Sequence, residues 1–122
     1  MLIPAKRLAG SQLQGTDGRT IGTIREVVVD RQSGRVIYLL MDPTDQEQEE
    51  VAAPHRGYPL PWQLVSYDAG KKAFRLDTDP GHLQRAPGAE AAEPIDWEDR
   101  VWAERLHEHY GLQPYWTVRS GA

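Results

Sequence analysis

The segment 15–42 constrains the fold most, because it contains two turn motifs with a long β-branched run between them. An Asp-Gly pair at 17–18 precedes the run at 20–30, and a Ser-Gly pair at 33–34 precedes a second apolar run at 35–42. Glycine at these spacings supplies the positive φ angles that tight hairpin turns require, and Val, Ile and Tyr suit a pleated, half-buried surface. The segment therefore predicts a β-hairpin in a small, twisted antiparallel sheet.

The second apolar run offers no polar face to solvent. Neighbouring side chains on a strand point to opposite faces of the sheet, and all six residues of 36–41 are apolar or aromatic. An antiparallel strand with one solvated face alternates apolar with polar residues. We therefore expect another part of the chain, or a second copy, to cover the outer face of this strand.

The remaining segments of 1–86 predict further elements of a small barrel. A short strand is expected at 7–14, and Gly22 inside the next strand predicts a bulge or a sharp bend. A second hairpin is expected from 65–68 and 73–77, and an Asp-Pro start predicts one helical turn at 79–85.

An extended segment at the rim of the barrel is predicted between these hairpins. Pro59 and Pro61 exclude a central strand there, because proline cannot donate a ladder hydrogen bond. Trp62 and Leu64 follow these prolines, and we expect both side chains to turn into the core.

The C-terminal part of the chain predicts a linker and an amphipathic helix. Residues 87–94 have a linker composition of Ala, Pro, Gly and Glu. Asp96 is expected to cap a helix that runs to about Tyr110 and ends at Gly111. Apolar residues in this region recur at spacings of four or five and form one stripe: Trp97, Val101, Trp102, Leu106 and Tyr110.

This stripe is the natural cover for the outer face of strand 36–41. The helix is expected to lie there in its own chain or in a neighbouring copy, and Tyr115 and Trp116 are expected to add a final aromatic contact. The chain thus divides into a β-domain at 1–86, a linker at 87–94 and a helical, aromatic tail at 95–122.

Composition narrows the class of protein. The 122 residues fit one compact domain with an appendage. The absence of cysteine excludes disulfides, thiolate metal sites and a cysteine nucleophile, and it favours the cytoplasm. No stretch approaches the roughly 20 apolar residues of a membrane-spanning helix, so no membrane insertion by this chain alone is expected.

The net charge of −4 is distributed unevenly. Residues 1–40 carry six basic and three acidic residues, whereas 41–50 carry five acidic residues and no basic one. Dispersed arginines in a negatively charged chain argue against an autonomous nucleic-acid binder. Four arginines near the first hairpin are candidate contacts for RNA phosphates or an acidic partner, although outward-facing arginines that protect strand edges are the favoured interpretation: Arg19, Arg25, Arg31 and Arg35.

No metal site, cofactor site or catalytic residue is predicted. The acidic residues of 42–50 lack the order of an EF-hand loop, so a solvated loop is favoured over a calcium site. His107 and His109 point away from each other on a helix, and the alternative is that one of them pairs with His55 or His82 across an oligomer interface. No nucleophile elbow, phosphate-binding loop or local carboxylate pair is recognisable, so an enzyme is not predicted.

The four tryptophans have two interpretations. Trp62, Trp97, Trp102 and Trp116 offer rings on which bases or a ligand stack. Packing in a core or interface is favoured, because aromatic residues at helical spacing beside Val and Leu normally fill such sites.

Taken together, motifs over about residues 7–86 resemble the PRC-barrel family. In chain order they are Gly15, Asp17-Gly18, Ile21-Gly22-Thr23-Ile24, Val27-Val28-Val29-Asp30, Ser33-Gly34-Arg35-Val36, Tyr38 and Pro59-Leu60-Pro61-Trp62-Gln63-Leu64. Within them, the positions expected to maintain the structure are Gly15, Gly18, Gly22, Asp30, Gly34, Pro61 and Trp62. Residues 83–87, Trp97 and 110–116 resemble the tail of stand-alone bacterial members.

The resemblance implies a small, partly open antiparallel barrel that often self-associates, serves as an interaction module and has no recognised catalytic residues. The family includes the cytoplasmic barrel of the photosynthetic reaction centre H subunit and the C-terminal domain of RimM. Many stand-alone members have glycine-rich sequence where this chain has its acidic run, so a ligand bound by that loop elsewhere is not carried over.

The sequence therefore predicts a mainly β, non-catalytic scaffold or adaptor that self-associates, as a homodimer or a larger assembly, and docks a protein partner. The expected interface combines strand and tail residues: Ile37, Leu39, Met41, Trp97, Val101, Trp102, Leu106, Tyr110, Tyr115 and Trp116. The alternatives are an RNA- or ribosome-associated module, by analogy with RimM, and an assembly factor for a membrane complex of the photosynthetic type.

Overall fold

The structure is a computed structural model that describes residues 2–43, 57–71, 73–88 and 95–117. The acidic run at 44–50, His55 and most of the predicted linker, 89–94, lie outside the described residues.

Strands dominate the first part of the chain and helices the last. The strands are β1 (Gln12–Gln14), β2 (Thr20–Val29), β3 (Val36–Pro43), β4 (Tyr58–Pro61), β5 (Val65–Asp68) and β6 (Ala73–Leu76). The α-helices are α1 (Ala5–Leu8), α2 (Pro80–Gln84) and α3 (Arg100–His109), and short 3-10 helices occupy Trp62–Leu64 and Tyr115–Thr117.

The six strands form one curled sheet in the order β4-β3-β2-β1-β6-β5. Every neighbouring pair is antiparallel except β1 with β6. The two ends of the sheet, β4 and β5, are consecutive in the chain, and the 3-10 helix Trp62–Leu64 joins them. The sheet is therefore a half-barrel, and the predicted mainly β, partly open barrel is confirmed.

The β2–β3 hairpin is built by the residues that predicted it. Gly34 has φ of +76° in the turn, and its N–H donates to the Asp30 carbonyl at 2.8 Å. The Asp30 carboxylate accepts from the Ser33 hydroxyl at 2.8 Å and from the Gln32 N–H at 3.3 Å. These bonds lower the pKa of Asp30, led by the Ser33 hydroxyl.

Gly22 lies beside a bulge, as predicted, but close packing is what requires glycine. Leu13 pairs with Gly22 and Gln14 with Thr20, so Ile21 is an extra residue on β2. A Cβ atom on Gly22 would come within 2.6 Å of the Asp42 carbonyl oxygen and the Met41 side chain. The approach of β3 to β2 therefore excludes any larger residue here.

The strand predicted at 7–14 is wrong in its first half. Residues 5–8 form helix α1, in which the N–H groups of Arg7 and Leu8 donate to the Pro4 carbonyl at 2.9 and 3.1 Å. Gly10, with φ of +97°, then turns the chain into β1. The helical turn places Leu8 in the barrel interior, where it is 4% exposed.

The interior of the barrel is filled by apolar side chains. Its buried members are Leu8, Leu13, Ile24, Leu39, Met41, Leu60, Phe74, Leu76 and Leu83, and we call this set the inner core. Trp62 and Leu64 are partly buried and pack against it, as their position after the two prolines predicted.

Helix α3 begins one turn later than predicted. The Asp99 carboxylate, not that of Asp96, caps it by accepting from the N–H groups of Val101 and Trp102 at 3.0 and 3.3 Å. Asp96 accepts instead from the Glu98 N–H at 3.0 Å in the turn that precedes the helix.

The predicted C-terminal cap of this helix is confirmed. Gly111 has φ of +68°, and its N–H donates to the Glu108 carbonyl at 3.0 Å. The Leu112 N–H donates to the His107 carbonyl at 2.9 Å, which completes a Schellman motif.

Candidate interaction surface

The tail covers the outer face of β3 within the same chain. Ile37, Tyr38, Ala86 and Leu106 are buried together there. Partly buried side chains surround them: Val28, Tyr58, Trp97, Trp102, Tyr110 and Tyr115. We call these ten residues the outer cluster, and it is the contact that holds the tail on the barrel.

Tyr38 lies at the centre of the outer cluster and is only 1% exposed. Its ring centroid is 5.7 Å from that of Trp97 in a stacked arrangement and 5.6 Å from that of Trp102. The Tyr115 ring meets it edge-on at 6.0 Å. These are favourable geometries for aromatic pairs, so Trp97 and Trp102 serve packing, the interpretation that the sequence favoured.

The buried hydroxyl group of Tyr38 on β3 is hydrogen-bonded to a histidine. Tyr38 Oη lies 3.0 Å from His107 Nε2. Burial lowers the pKa of His107, and the backbone of Gln113 acts in the opposite direction. Burial also raises the pKa of Tyr38, with a smaller contribution from Tyr115. Both side chains are therefore neutral at pH 7, and one hydrogen bond joins Tyr38 Oη to His107 Nε2.

Sequence reasoning did not assign this role to His107. A signal was present, because Tyr38 is the polar-tipped residue of an apolar strand and a buried tyrosine hydroxyl needs a partner. His107 follows Leu106 of the predicted stripe, at the edge of the same helix face.

A second histidine contact joins α2 to α3. The rings of His82 and His109 stack with centroids 3.9 Å apart and planes 9° apart. Each Nε2 donates to the backbone carbonyl of the other residue at 2.7 Å. His109 therefore contacts His82 within one chain, whereas the alternative drawn from the sequence placed such a pair across an oligomer interface. Both Nε2 atoms are donors there, and no group of three metal-ligating side chains exists among the described residues.

The four candidate arginines do not form one patch. Arg25 Nε donates to Asp42 Oδ1 at 2.8 Å. Arg19 lies 3.6 Å from Asp17 at the start of β2. Arg31 and Arg35 lie at the opposite end of this ten-residue strand.

The ten predicted interface residues lie in different places. Leu39 and Met41 belong to the inner core and not to the outer cluster, which corrects their grouping with the helix. Val101 is 61% exposed and turns away from the barrel. Ile37 joins the outer cluster because the register with β2 shifts at this point. Trp116 packs on His107, with ring centroids 6.5 Å apart, and carries the Arg100 guanidinium 4.5 Å above its ring.

Two clefts flank the outer cluster and share Ile37 and Tyr115 as walls. The first, of about 360 Å³, lies between the end of the β2–β3 hairpin and Trp97. The second, of about 260 Å³, is lined on its polar side by Arg35, Gln63 and His107. We call the surface that contains both clefts the tail–barrel junction.

None of the described helices has the length and apolar character to cross a bilayer.

No curated protein sequence matches the chain. One similar solved structure is that of RimM from Pseudomonas aeruginosa, described as a 16S ribosomal RNA processing protein. It is 19% identical, has a TM-score of 0.42, and the match covers 63% of this chain and 44% of that one. This chain thus matches less than half the length of that protein.

The family comparison covers most of the chain. The family model of the PRC-barrel domain matches residues 2–83, which include all six strands of the half-barrel and α2 up to Leu83. This match extends across the predicted turns, the Pro-Trp segment and the second hairpin. The chain therefore belongs to the PRC-barrel family.

Proposed function

We propose that this protein is a non-catalytic, cytoplasmic binding module that docks a partner protein at the tail–barrel junction. The observation that carries the proposal is the pair of clefts on either side of Tyr115. The inner core fills the barrel interior, so recognition by this fold uses its outer surface.

The walls of the junction are held in place before any partner arrives. Trp97 and Tyr115 are partly buried and pack against the buried ring of Tyr38. Aromatic side chains that are already ordered lose little conformational entropy on binding, and they dominate the affinity of many protein interfaces. This arrangement supports docking of a protein rather than capture of a flexible ligand inside the barrel.

Tyr38 and His107 are two titratable side chains of the junction with shifted pKa values, but their position does not favour catalysis. His107 and Tyr38 are each 1% exposed and are hydrogen-bonded to each other. A general base has to reach the proton of a substrate, and this pair is shielded from solvent. Its perturbed pKa values follow from burial in a packed cluster.

Site-specific photo-crosslinking in host cells tests the proposal. A photoreactive amino acid at Val29, which is 46% exposed and lines the first cleft, is expected to give a discrete protein adduct. The matched control is the same amino acid at Glu26, an exposed position on the same strand outside both clefts. Equal adducts from both positions, or none from Val29, would contradict docking at the junction, and RNA in the adduct would support the RNA-associated alternative.

We propose that self-association uses a different surface. The tail occupies the outer face of β3 in the same chain, which leaves the exposed side of α3, where Val101 is 61% exposed. Light scattering after size-exclusion chromatography is expected to give a dimer that Val101→Glu dissociates, whereas the exposed control Glu104→Gln leaves it intact. A monomer at high protein concentration would remove self-association and leave docking unaffected.

A further inference from the structure

Arg35 differs from the other arginines around the hairpin in having a buried guanidinium nitrogen, Nε, that lacks a hydrogen-bond partner among the described residues. Arg25 bonds to Asp42 and Arg75 to Asp77, each at 2.8 Å, and Arg19 lies beside Asp17. Arg35 also has no ion pair with any described carboxylate.

The nearby acidic residue, Asp30, forms hydrogen bonds within the turn. Asp30 interacts electrostatically with Arg35 across the turn, but its carboxylate accepts from Ser33 and Gln32. A buried donor that lacks an acceptor is unfavourable, and the cost is larger for a charged group. The buried Nε atom of Arg35, which has no acceptor among the described residues, therefore indicates a partner group that arrives from outside.

The side chains around Arg35 indicate the chemical nature of the partner group that binds there. Arg35 lines the second cleft, whose other walls include Val36, Ile37, Trp62 and Tyr115, with Gln63 at an exposed position. Among the described residues, no Asp or Glu lines this cleft. Apolar walls around one cation are complementary to a carboxylate carried on an apolar body.

The size of the cleft selects a side chain over a larger ligand. About 260 Å³ is below the range of about 300–1,000 Å³ that holds small-molecule ligands. The planar guanidinium fork matches both oxygens of a carboxylate, and the Gln63 amide supplies a further donor. His107 Nε2 is engaged with Tyr38 and does not compete for the carboxylate.

We propose that the second cleft binds an acidic side chain of the partner protein, in a segment where the acid stands next to an apolar or aromatic residue. Arg35 is the bidentate anchor of that carboxylate, and Trp62 and Tyr115 contact the apolar neighbour. This assignment rests on the proposed docking function and names the chemistry that the docked segment must have.

The test uses the full chain and two synthetic peptides that differ in one group. The probe is the blocked peptide acetyl-Gly-Leu-Glu-Phe-Gly-amide, and its twin carries Gln in place of Glu. In two-dimensional ¹H–¹⁵N NMR titrations, the acidic peptide is expected to shift the Arg35 Nε–H signal and the Gln63 amide signals. The Gln twin is expected to bind at least tenfold more weakly.

Variants identify the anchor. Arg35→Gln is expected to lose at least tenfold in affinity for the acidic peptide, and Arg35→Lys is expected to lose less, because lysine keeps the charge without the fork. Arg19→Gln, at an exposed arginine that lies outside both clefts, is the matched control and is expected to bind like the wild type. If Arg35→Gln fails to fold, the comparison of the two peptides on the wild type still decides.

Several outcomes would overturn the assignment. They are equal binding of the two peptides, equal losses in Arg19→Gln and Arg35→Gln, or tighter binding of a uridine pentanucleotide through Arg35. Carboxylate-selective binding without a cross-link at Val29 would support this site and contradict the docking function. A cross-link at Val29 without carboxylate selectivity would do the reverse.

Discussion

The inner core and the outer cluster are both buried, yet they differ in chemistry. The described inner core consists of aliphatic side chains, one methionine and one phenylalanine, between strands that hydrogen-bond to each other. The outer cluster surrounds Tyr38 with aromatic rings, and the buried His107 side chain also contacts Tyr38. The tail attaches to the barrel mainly through side chains. The inner core therefore stabilises the barrel. The attachment of the tail is expected to depend on pH, because the titratable side chain of His107 is buried beside the outer cluster.

This difference predicts two levels of stability in one chain. The barrel is expected to unfold as a cooperative unit, because its strands share one core and one hydrogen-bonded sheet. The tail is expected to detach in a separate opening of lower free energy, since regions attached by fewer contacts open first. Four experiments test this comparison, beginning with the largest expected effect.

Leu39→Ala in the inner core is expected to lower the free energy of unfolding of the whole barrel by about 2–5 kcal/mol. Leu39 is 0% exposed, so truncation removes apolar contacts and leaves a cavity. Urea unfolding followed by circular dichroism measures the change. Val29→Ala, at a 46% exposed position on β2, is the control and is expected to stay within about 0.5 kcal/mol of the wild type.

Leu106→Ala is expected to weaken the tail while the barrel stays folded. Leu106 is 0% exposed in the outer cluster, and its truncation is expected to reduce the free energy of tail opening by about 2 kcal/mol. Hydrogen exchange should accelerate in α3 and remain slow in β2 and β3. Val101→Ala on the same helix is the matched control, and equal acceleration across the barrel would show that the two regions open together.

Acidification is expected to loosen the tail through His107. The folded-state pKa of His107 is lowered by burial, so the unfolded or detached state binds the proton first. Stability of the docked tail is therefore complete above the ordinary histidine pKa of about 6.5 and declines as the pH falls through that value. Below the lowered folded-state pKa the decline stops, because both states are then protonated.

An NMR titration of the histidine ring protons measures the folded-state pKa of His107 directly, and this pKa is expected to lie below 6.5. The pH dependence of tail opening should be shallower in His107→Gln than in the wild type. His82→Gln is the control that shows which part of the slope belongs to His107. If the free energy of tail opening depended on pH as steeply in His107→Gln as in the wild type, this interpretation would be contradicted.

Asp99→Ala is expected to have the smallest of these effects, a loss of about 1 kcal/mol from the tail alone. The Asp99 carboxylate accepts two N–H groups at the start of α3, whereas the Asp96 carboxylate bonds only in the turn before it. Faster exchange at the N–H groups of Val101 and Trp102 measures the loss of the cap. Asp96→Ala is the matched control, and an equal effect of the two variants would show that the helix begins earlier.

Local chemistry explains why much of the fold was predictable. The turn at Gly34, the extended Pro59 to Pro61 segment and the C-terminal cap at Gly111 depend on backbone angles that a few residues decide among themselves. The amphipathic tail was predictable for a similar reason, because the spacing of its apolar residues follows from helix geometry.

Predictions failed where two local solutions competed. Asp96 and Asp99 are both good N-caps, and the helix uses the second because the turn before it places Trp97 on Tyr38. Residues 5–8 have no local feature that requires a helix, and the position of Leu8 in the inner core favours one.

The candidate site was only partly predictable. The tail aromatics and Arg35 stand out in the sequence, but the lack of a hydrogen-bond partner for Arg35 Nε among the described residues depends on where the acceptors around it lie. The same is true of the reciprocal bonds between His82 and His109, which join residues 27 positions apart.

By itself, the sequence determined that strand 36–41 has two apolar faces and that an amphipathic tail is available to cover one of them. Only the tertiary structure decided that Leu39 and Met41 point into the barrel while Ile37 and Tyr38 meet the tail. The physical reason is that a continuous apolar run on a strand gives two apolar faces and does not specify which of them lies inside. The curl of the sheet and the register shift beside Ile37 decide which face lies inside.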